Sequence, residues 1–196
     1  MSLRIIGGTF RGRSLKTPAG QQTRPTLAVM RKAVFDILQG EIEEAYFLDL
    51  YAGSGAMGLE ALSRGAAHAT FVETSRNAFR CIEENTRLLD VQDRCTMMSY
   101  DTLLALKKIV KESRHFDIAY VDPPYSAGAK RHLLEEILCF FDTHSILKAG
   151  GKIFLEEASP ATLNVKSMEL SQLKFVDSRT FSRSTLHQFQ MKGELR

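Results

Sequence analysis

Asp122-Pro123-Pro124-Tyr125 sets a carboxylate, two rigid residues and an aromatic ring at the end of an apolar run, Phe116-Asp117-Ile118-Ala119-Tyr120-Val121. Neither Pro123 nor Pro124 has an N–H, so the pair cannot continue a strand ladder and marks the end of a buried strand. The stiffened chain can hold the Asp122 carboxylate, the Pro123 carbonyl and the Tyr125 ring in fixed directions. Two acceptors beside an aromatic face suit a flat ring that carries an –NH2 group. The lone pair of such an amine is delocalised into the ring. Hydrogen bonds from its two N–H groups can localise that pair and aim it at an electrophile. These residue types therefore favour alkylation of a nucleobase amine, and the plain alternative is a proline-rich turn.

Such a corner needs an electrophile held next to it. Upstream, Phe47-Leu48-Asp49-Leu50 is a short apolar strand that runs into Tyr51-Ala52-Gly53-Ser54-Gly55-Ala56-Met57-Gly58 and then a helical run through Leu59, Ala61 and Leu62. Strand, glycine turn and helix start form a nucleotide-binding βα unit, in which glycines admit a ligand to the backbone and the helix offers free N–H groups. The spacing Gly53-x-Gly55-x-x-Gly58 also fits a dinucleotide fingerprint. The next strand, Ala69 to Val72, ends at Glu73, which is placed to accept both hydroxyls of a ribose. Asp49 stands where a dinucleotide-binding strand usually stays apolar, and a carboxylate there suits the positive amino group of a methionine-type cofactor.

Asp49 to Gly58, Glu73, and Asp122 to Tyr125 resemble the S-adenosylmethionine (SAM) loop, ribose acid and amino-methylation motif of class I methyltransferases. A closer resemblance is to the bacterial RsmD family. It is carried by Arg4-Ile5-Ile6-Gly7-Gly8-Thr9-Phe10-Arg11-Gly12-Arg13, by Arg24-Pro25-Thr26 with Arg31 and Phe35, by Leu59 to Ala66, and by Asn85. Phe181-Ser182 stands where that family usually has Tyr-Gly. The resemblance implies a SAM-dependent enzyme that methylates the exocyclic N2 of one guanine in 16S ribosomal RNA. It assigns Asp49, Tyr51, Ala52, Gly53, Ser54, Gly55, Glu73, Asp101 and Asp122 to the cofactor, and Asp122, Pro123, Pro124 and Tyr125 to the chemistry. Asp101 follows the third strand, Cys95 to Met98, where it can meet the adenine amino group or cap the helix that runs to Lys111.

Charge is unevenly distributed. Residues 1–32 contain Arg4, Arg11, Arg13, Lys16, Arg24, Arg31 and Lys32 and no acid, so the remaining chain is net negative although the whole carries +3. A basic arm on an acidic domain suits a polyanionic partner, here 16S rRNA or a small-subunit assembly intermediate, with Arg4, Arg11, Arg13, Lys16, Arg24 and Arg31 on phosphates. Ile5, Ile6, Gly7, Gly8, Phe10, Gly12 and Leu15 suggest that the arm is a β-hairpin. Cys81, Cys95 and Cys139 form neither a disulfide framework nor a metal site, and none of the five histidines has ligand spacing. No metal is expected. No apolar run reaches membrane length and no leader opens the chain, so a cytoplasmic protein is expected.

The rest alternates between strands and helices. Leu27 to Leu38 is expected as a helix with Val29, Val34, Ile37 and Leu38 inward. Ser75 should cap a helix through Ala78, Ile82 and Leu88-Leu89. Lys130 to Phe141 reads as another helix. Gly150-Gly151 turns into a strand over 152–157, and Leu173 to Asp177 with Thr185 to Met191 form a last antiparallel pair. The expected fold is α/β: a Rossmann-like, class I methyltransferase sheet of seven strands, mostly parallel with a C-terminal antiparallel hairpin. The arm is assigned to residues 1–22 and the Rossmann-like domain to 23–196. A DNA adenine-N6 methyltransferase shares the four-residue motif, and a nicotinamide-binding oxidoreductase would explain the glycine loop but not Asp122 to Tyr125. A silent RNA-binding module would leave the acids and glycines without purpose.

Overall fold

The computed structural model describes residues 3–18, 25–124, 130–158, 163, 165, 168–182 and 184–193. Two antiparallel two-residue strands, β1 (Leu3–Arg4) and β2 (Ser14–Leu15), make the arm, with Leu3 opposite Leu15. Helix α1 (Pro25–Ile37) precedes an alternating series of β3 (Tyr46–Leu50), α2 (Ala56–Ser63), β4 (His68–Val72), α3 (Arg76–Leu89) and β5 (Cys95–Met98). The series continues through α4 (Thr102–Lys111), β6 (Phe116–Val121), α5 (Lys130–Thr143) and β7 (Leu147–Ala158), and ends with β8 (Leu173–Phe181) and β9 (Ser184–Met191).

Seven strands form one sheet in the order β5-β4-β3-β6-β7-β9-β8. Every pairing from β5 to β7 is parallel, and only β9 runs against its neighbours. The strand order reverses between β3 and β6, which makes their carboxyl ends the switch point where such sheets open a crevice. The parallel strands are apolar on both faces, as helix-covered strands must be. Leu48, Leu50, Ala119 and Val121 pack under α4 and α5, while Phe47, Ile118 and Phe154 pack with α1 and α2.

Three expectations change. Val29 is 52% exposed: α1 buries the stripe Met30, Val34, Phe35 and Leu38, which leaves Val29 on its flank. Val29 there lines a groove of about 380 Å³ with Ile6, Ala28, Lys32, Asp36 and Arg64. Leu88 is 54% exposed because α3 buries Ala78, Ile82, Asn85, Thr86 and Leu89 at helical spacing, and Leu88 lies off that stripe. Gly150-Gly151 does not precede β7 but lies inside it. Gly150 has φ +78, and the register with β6 shifts between Phe116 and Ile118, so the strand bends there without ending.

Candidate functional site

The turn after β3 is built from left-handed residues. Tyr51, Gly53 and Gly55 have φ of 61°, 57° and 78°. Tyr51 reaches this region despite its side chain, and its ring packs on the core cluster beneath α4 and α5. Burial raises its phenol above the ordinary value, and a hydrogen bond with Thr102 works the other way. Ala52 N–H donates to the Val72 carbonyl and Gly55 N–H to the Ala52 carbonyl, which folds the loop back over the sheet. A Cβ on Gly58 would stand 2.3 Å from the Phe71 ring, so α2 can approach β4 this closely only with glycine there.

Asp49 is buried and accepts Gly58 N–H at 2.9 Å, which fixes the first turn of α2 to β3. Burial pushes its carboxyl up to about 8; the Gly58 bond lowers it and the negative Glu73 raises it further. Glu73 is half-buried and bridges two elements. Its Oε2 accepts Gly53 N–H at 2.8 Å and its Oε1 accepts Ser75 N–H at 2.7 Å. A carboxylate has about four lone-pair sites, so both oxygens retain acceptor capacity. Ser75 caps α3 as its sequence suggests, accepting Ala78 N–H. Asp101 caps α4 through Leu103 N–H at 3.0 Å and remains exposed beyond the end of β5.

The chemistry of this set fits SAM. Acids stand at the ends of β3, β4 and β5, and no base occurs between Asp49 and Gly58. An ammonium, a ribose diol and an adenine amine are all donors, whereas a pyrophosphate would face acceptors. A Cβ on Gly53 would meet nothing within 4 Å, so the loop backbone faces open space beside Glu73.

Asp122 follows β6 directly, and its N–H donates to the Leu50 carbonyl at 3.4 Å. With Val121 opposite Leu50, the Asp122 corner opens beside the glycine turn. Pro123 is buried and Pro124 exposed. Tyr125 lies outside the described residues. Two polar pairs that the sequence reading missed stand near this edge. Tyr120 lies opposite Asp49, and its hydroxyl donates to Glu156 Oε2 at 2.7 Å, with both residues buried. His187 is buried against Glu157 at 3.0 Å and Ser178 at 2.6 Å. The apolar residues mark β7 and β9 as strands but do not reveal which polar residues would find one another across them.

The arm is docked rather than solvated. Leu3, Ile5 and Leu15 are buried with Leu59, Leu62 and Phe71. Ile6 N–H donates to Glu60 Oε2, Phe10 N–H to Ser63 Oγ, and Thr9 N–H to the Ser63 carbonyl. A Cβ on Gly8 would stand 1.7 Å from that carbonyl, so Gly7-Gly8 lets the hairpin lie flat on α2. Arg4, Arg11 and Arg13 are exposed, and Lys16 pairs with Glu84 at 2.8 Å on the surface. Arg24 lies outside the described residues. Arg31 does not face solvent and is removed from the phosphate-binding set. It is 3% exposed, donates Nη2 to the Arg4 carbonyl at 2.7 Å, and lies 3.5 Å from the buried Glu60. Burial pulls its guanidinium below the ordinary value, and Glu60 partly restores it. Glu60 also holds Arg64 Nε at 2.8 Å. One signal could have exposed this arrangement: α2 is apolar nearly all round, as a helix covered on both sides must be.

Among the described residues no helix is long and apolar enough to cross a membrane, and no group of three metal-ligating side chains occurs. A family model described as conserved hypothetical protein 95 matches residues 3–190. The chain is 36% identical over 154 residues to ribosomal RNA small subunit methyltransferase D of Escherichia coli K12, covering 79% of this chain and 74% of the relative. A solved structure of a Thermus thermophilus hypothetical protein superposes with a TM-score of 0.78 at 30% identity, covering 95% of this chain and 98% of the other. The T. thermophilus 16S rRNA N2 G1207 methyltransferase, solved with AdoMet and guanosine, shares the fold with a TM-score of 0.71 at 19% identity. The match covers 98% of this chain and 50% of that one.

Proposed function

The chain belongs to the conserved hypothetical protein 95 family, which includes ribosomal RNA methyltransferases, and from that premise we propose that it methylates the exocyclic N2 amine of a guanine in 16S rRNA. The observation that supports the reading is the junction of Leu50 and Asp122, which brings the Asp122-Pro123-Pro124 corner beside the glycine turn. Rossmann-like fold, acidic strand ends and family membership support SAM as the methyl donor. The substrate is 16S rRNA, free or within a small-subunit assembly intermediate, and the enzyme works in the cytoplasm.

Glu73 holds the ribose diol, Asp101 meets the adenine amine, and Asp49 faces the ammonium. Tyr51, Ala52, Gly53, Ser54 and Gly55 form the backbone cradle between them. When bound, the cofactor supplies a sulfonium methyl that is already a strong electrophile, so the protein mainly supplies orientation. Asp122 and the Pro123 carbonyl accept the two amine hydrogens and localise the lone pair. Pro124 stiffens the corner and the Tyr125 ring stacks on the base, which leaves any helical stack to enter. Arg4, Arg11, Arg13, Lys16 and Arg24 meet phosphates.

The test is methyl transfer from labelled SAM to naked 16S rRNA, partly assembled subunits and DNA, with mass-spectrometric mapping of the product. Asp122→Ala should lower turnover by about a hundredfold or more with RNA affinity nearly unchanged, the scale of one misplaced orienting group. Methylation of adenine, or an undiminished Asp122→Ala enzyme, would overturn the proposal.

A further inference from the structure

Asn85 stands outside every role given so far. It belongs to α3, on the buried stripe with Ala78, Ile82 and Leu89, and its polar amide has 0% exposure. All its donors are in use. Nδ2 donates to the Lys16 carbonyl at 2.9 Å and to the Ser54 carbonyl at 3.0 Å, while Oδ1 accepts Lys16 N–H at 2.7 Å. One amide thus grips the base of the basic arm and the middle of the glycine turn. Among the described residues the polar links between the two segments are otherwise indirect, through the bonds that Ile6, Thr9 and Phe10 make to α2.

We propose that Asn85 is a positioning residue that ties the arm to the glycine turn, so that RNA on one and cofactor on the other tighten each other's binding. The proposal rests on the rRNA methyltransferase reading. Its physical basis is the cost of an orphaned donor. If either segment lifts away, a buried N–H of Asn85 loses its partner with no water to replace it. The arm's strands are two residues each, too short to be stable without docking. RNA that holds the arm down keeps the Lys16 pair in place, and that pair fixes the amide that holds Ser54. Cofactor that orders the turn works in the opposite direction, and linkage makes the two effects equal.

The experiment measures binding of S-adenosylhomocysteine, which cannot donate a methyl group, by calorimetry with and without saturating 16S rRNA. In the wild-type chain RNA should tighten it roughly fivefold or more, the lower end of ordinary site coupling. Asn85→Ala and Asn85→Leu should bring that ratio toward one. Glu84→Gln, which removes only the exposed partner of Lys16, should leave it intact. Hydrogen exchange on the wild-type chain gives a readout that needs no variant to fold: S-adenosylhomocysteine should slow exchange of the Lys16 amide by a similar factor. A wild-type ratio of one, unchanged Lys16 exchange, or coupling that survives loss of Asn85 would overturn the proposal while methyl transfer to rRNA continued. A wild-type chain that transfers no methyl group to rRNA would overturn the functional reading and this proposal with it.

Discussion

Asp49→Asn separates what the buried acid costs the fold from what it does for the ligand. The folded carboxyl has a pKa of about 8 against an ordinary value of 3.8. A folded pKa above the unfolded one means that the folded state binds more protons between these values. Any contribution from protonated Asp49 is therefore complete below pH 3.8 and is lost as pH rises toward 8. The slope is about 1.4 kcal/mol per pH unit, so keeping Asp49 protonated at about pH 7 costs the fold up to about 4 kcal/mol. Asparagine has no proton to hold, keeps nearly the same volume, and can still accept Gly58 N–H through Oδ1. The D49N protein without cofactor should therefore be more stable than wild type by about 2–4 kcal/mol at about pH 7. The difference should vanish near pH 4 and level off above about pH 8. Urea unfolding at unit intervals from about pH 5 to 9 measures it, and a difference that does not change with pH would refute the reasoning.

The same substitution should weaken SAM. An ammonium beside Asp49 favours the carboxylate, so cofactor binding releases a proton below about pH 8 and wild-type affinity falls as the medium becomes more acid. The amino group itself loses its proton in the same range, at about 7.7–8.0, so affinity falls again on the alkaline side. Wild-type affinity should peak near about pH 8, and D49N should lose the acid limb. A stable protein with a poorer site is the outcome that the proposed role of Asp49 predicts, an acid that serves a ligand at the expense of the empty fold.

Glu73→Ala should weaken SAM by roughly tenfold or more, as a lost charge-assisted hydrogen bond implies, and calorimetry on the folded variant checks this. Neutralising Arg11 and Arg13 together should reduce the slope of log RNA affinity against log salt by about 0.7 for each lost phosphate contact to a single strand. Filter binding over a salt series would show an unchanged slope if the arm meets no RNA, and SAM affinity should not move. Ser182 has φ +51 in the turn joining β8 to β9. Relief of a left-handed conformation, about 1–2 kcal/mol for a residue with a Cβ, outweighs the entropic cost of glycine, about 0.5–1 kcal/mol, so Ser182→Gly should stabilise the chain by up to about 1 kcal/mol, read as a higher urea midpoint with an unchanged m-value. Glu60→Ala should cost about 3–5 kcal/mol, because it leaves Arg31 buried without a countercharge; a loss below about 1 kcal/mol would mean that water reaches Arg31.

The parts of the site that could be read in advance are those fixed within a few residues of sequence. A proline pair ends β6 whatever packs on it, glycines at positive φ are needed by the turn itself, and Ser75 caps α3 from three residues away. Apolar runs of four to six residues placed β3, β4 and β6 because buried parallel strands need that pattern. The errors fall where a partner far along the chain decides. Arg31 reads as a free cation until Glu60 and the Arg4 carbonyl are brought to it by folding. Val29 and Leu88 have the right type for the core but the wrong angle, and with apolar residues spread over more than one face, type alone does not choose. Asn85 falls on the buried stripe of α3 with Ala78, Ile82 and Leu89, and periodicity places it inward without revealing which backbone groups its amide would clasp.

The placement of α2 explains why the arm and the catalytic domain are hard to divide at residue 22. The N-terminus of α2 closes the glycine turn, through Gly58 N–H on Asp49, and its far end holds the arm through Glu60 and Ser63. Every residue from Met57 to Ser63 is buried, the sheet covering one side and the hairpin the other. If the arm were lost, α2 would expose Leu59 and Leu62 and leave Glu60 and Arg31 facing solvent half-paired. An extension that only recruited RNA could dock through its cations and leave this helix amphipathic. The apolar outer face of α2 and the glycines that meet it instead make the arm part of the core that shapes the cofactor turn. Changes at the arm's buried residues, Leu3, Ile5 and Leu15, should therefore reach the methyl-donor site through packing, whereas changes at the exposed Arg11 and Arg13 should not.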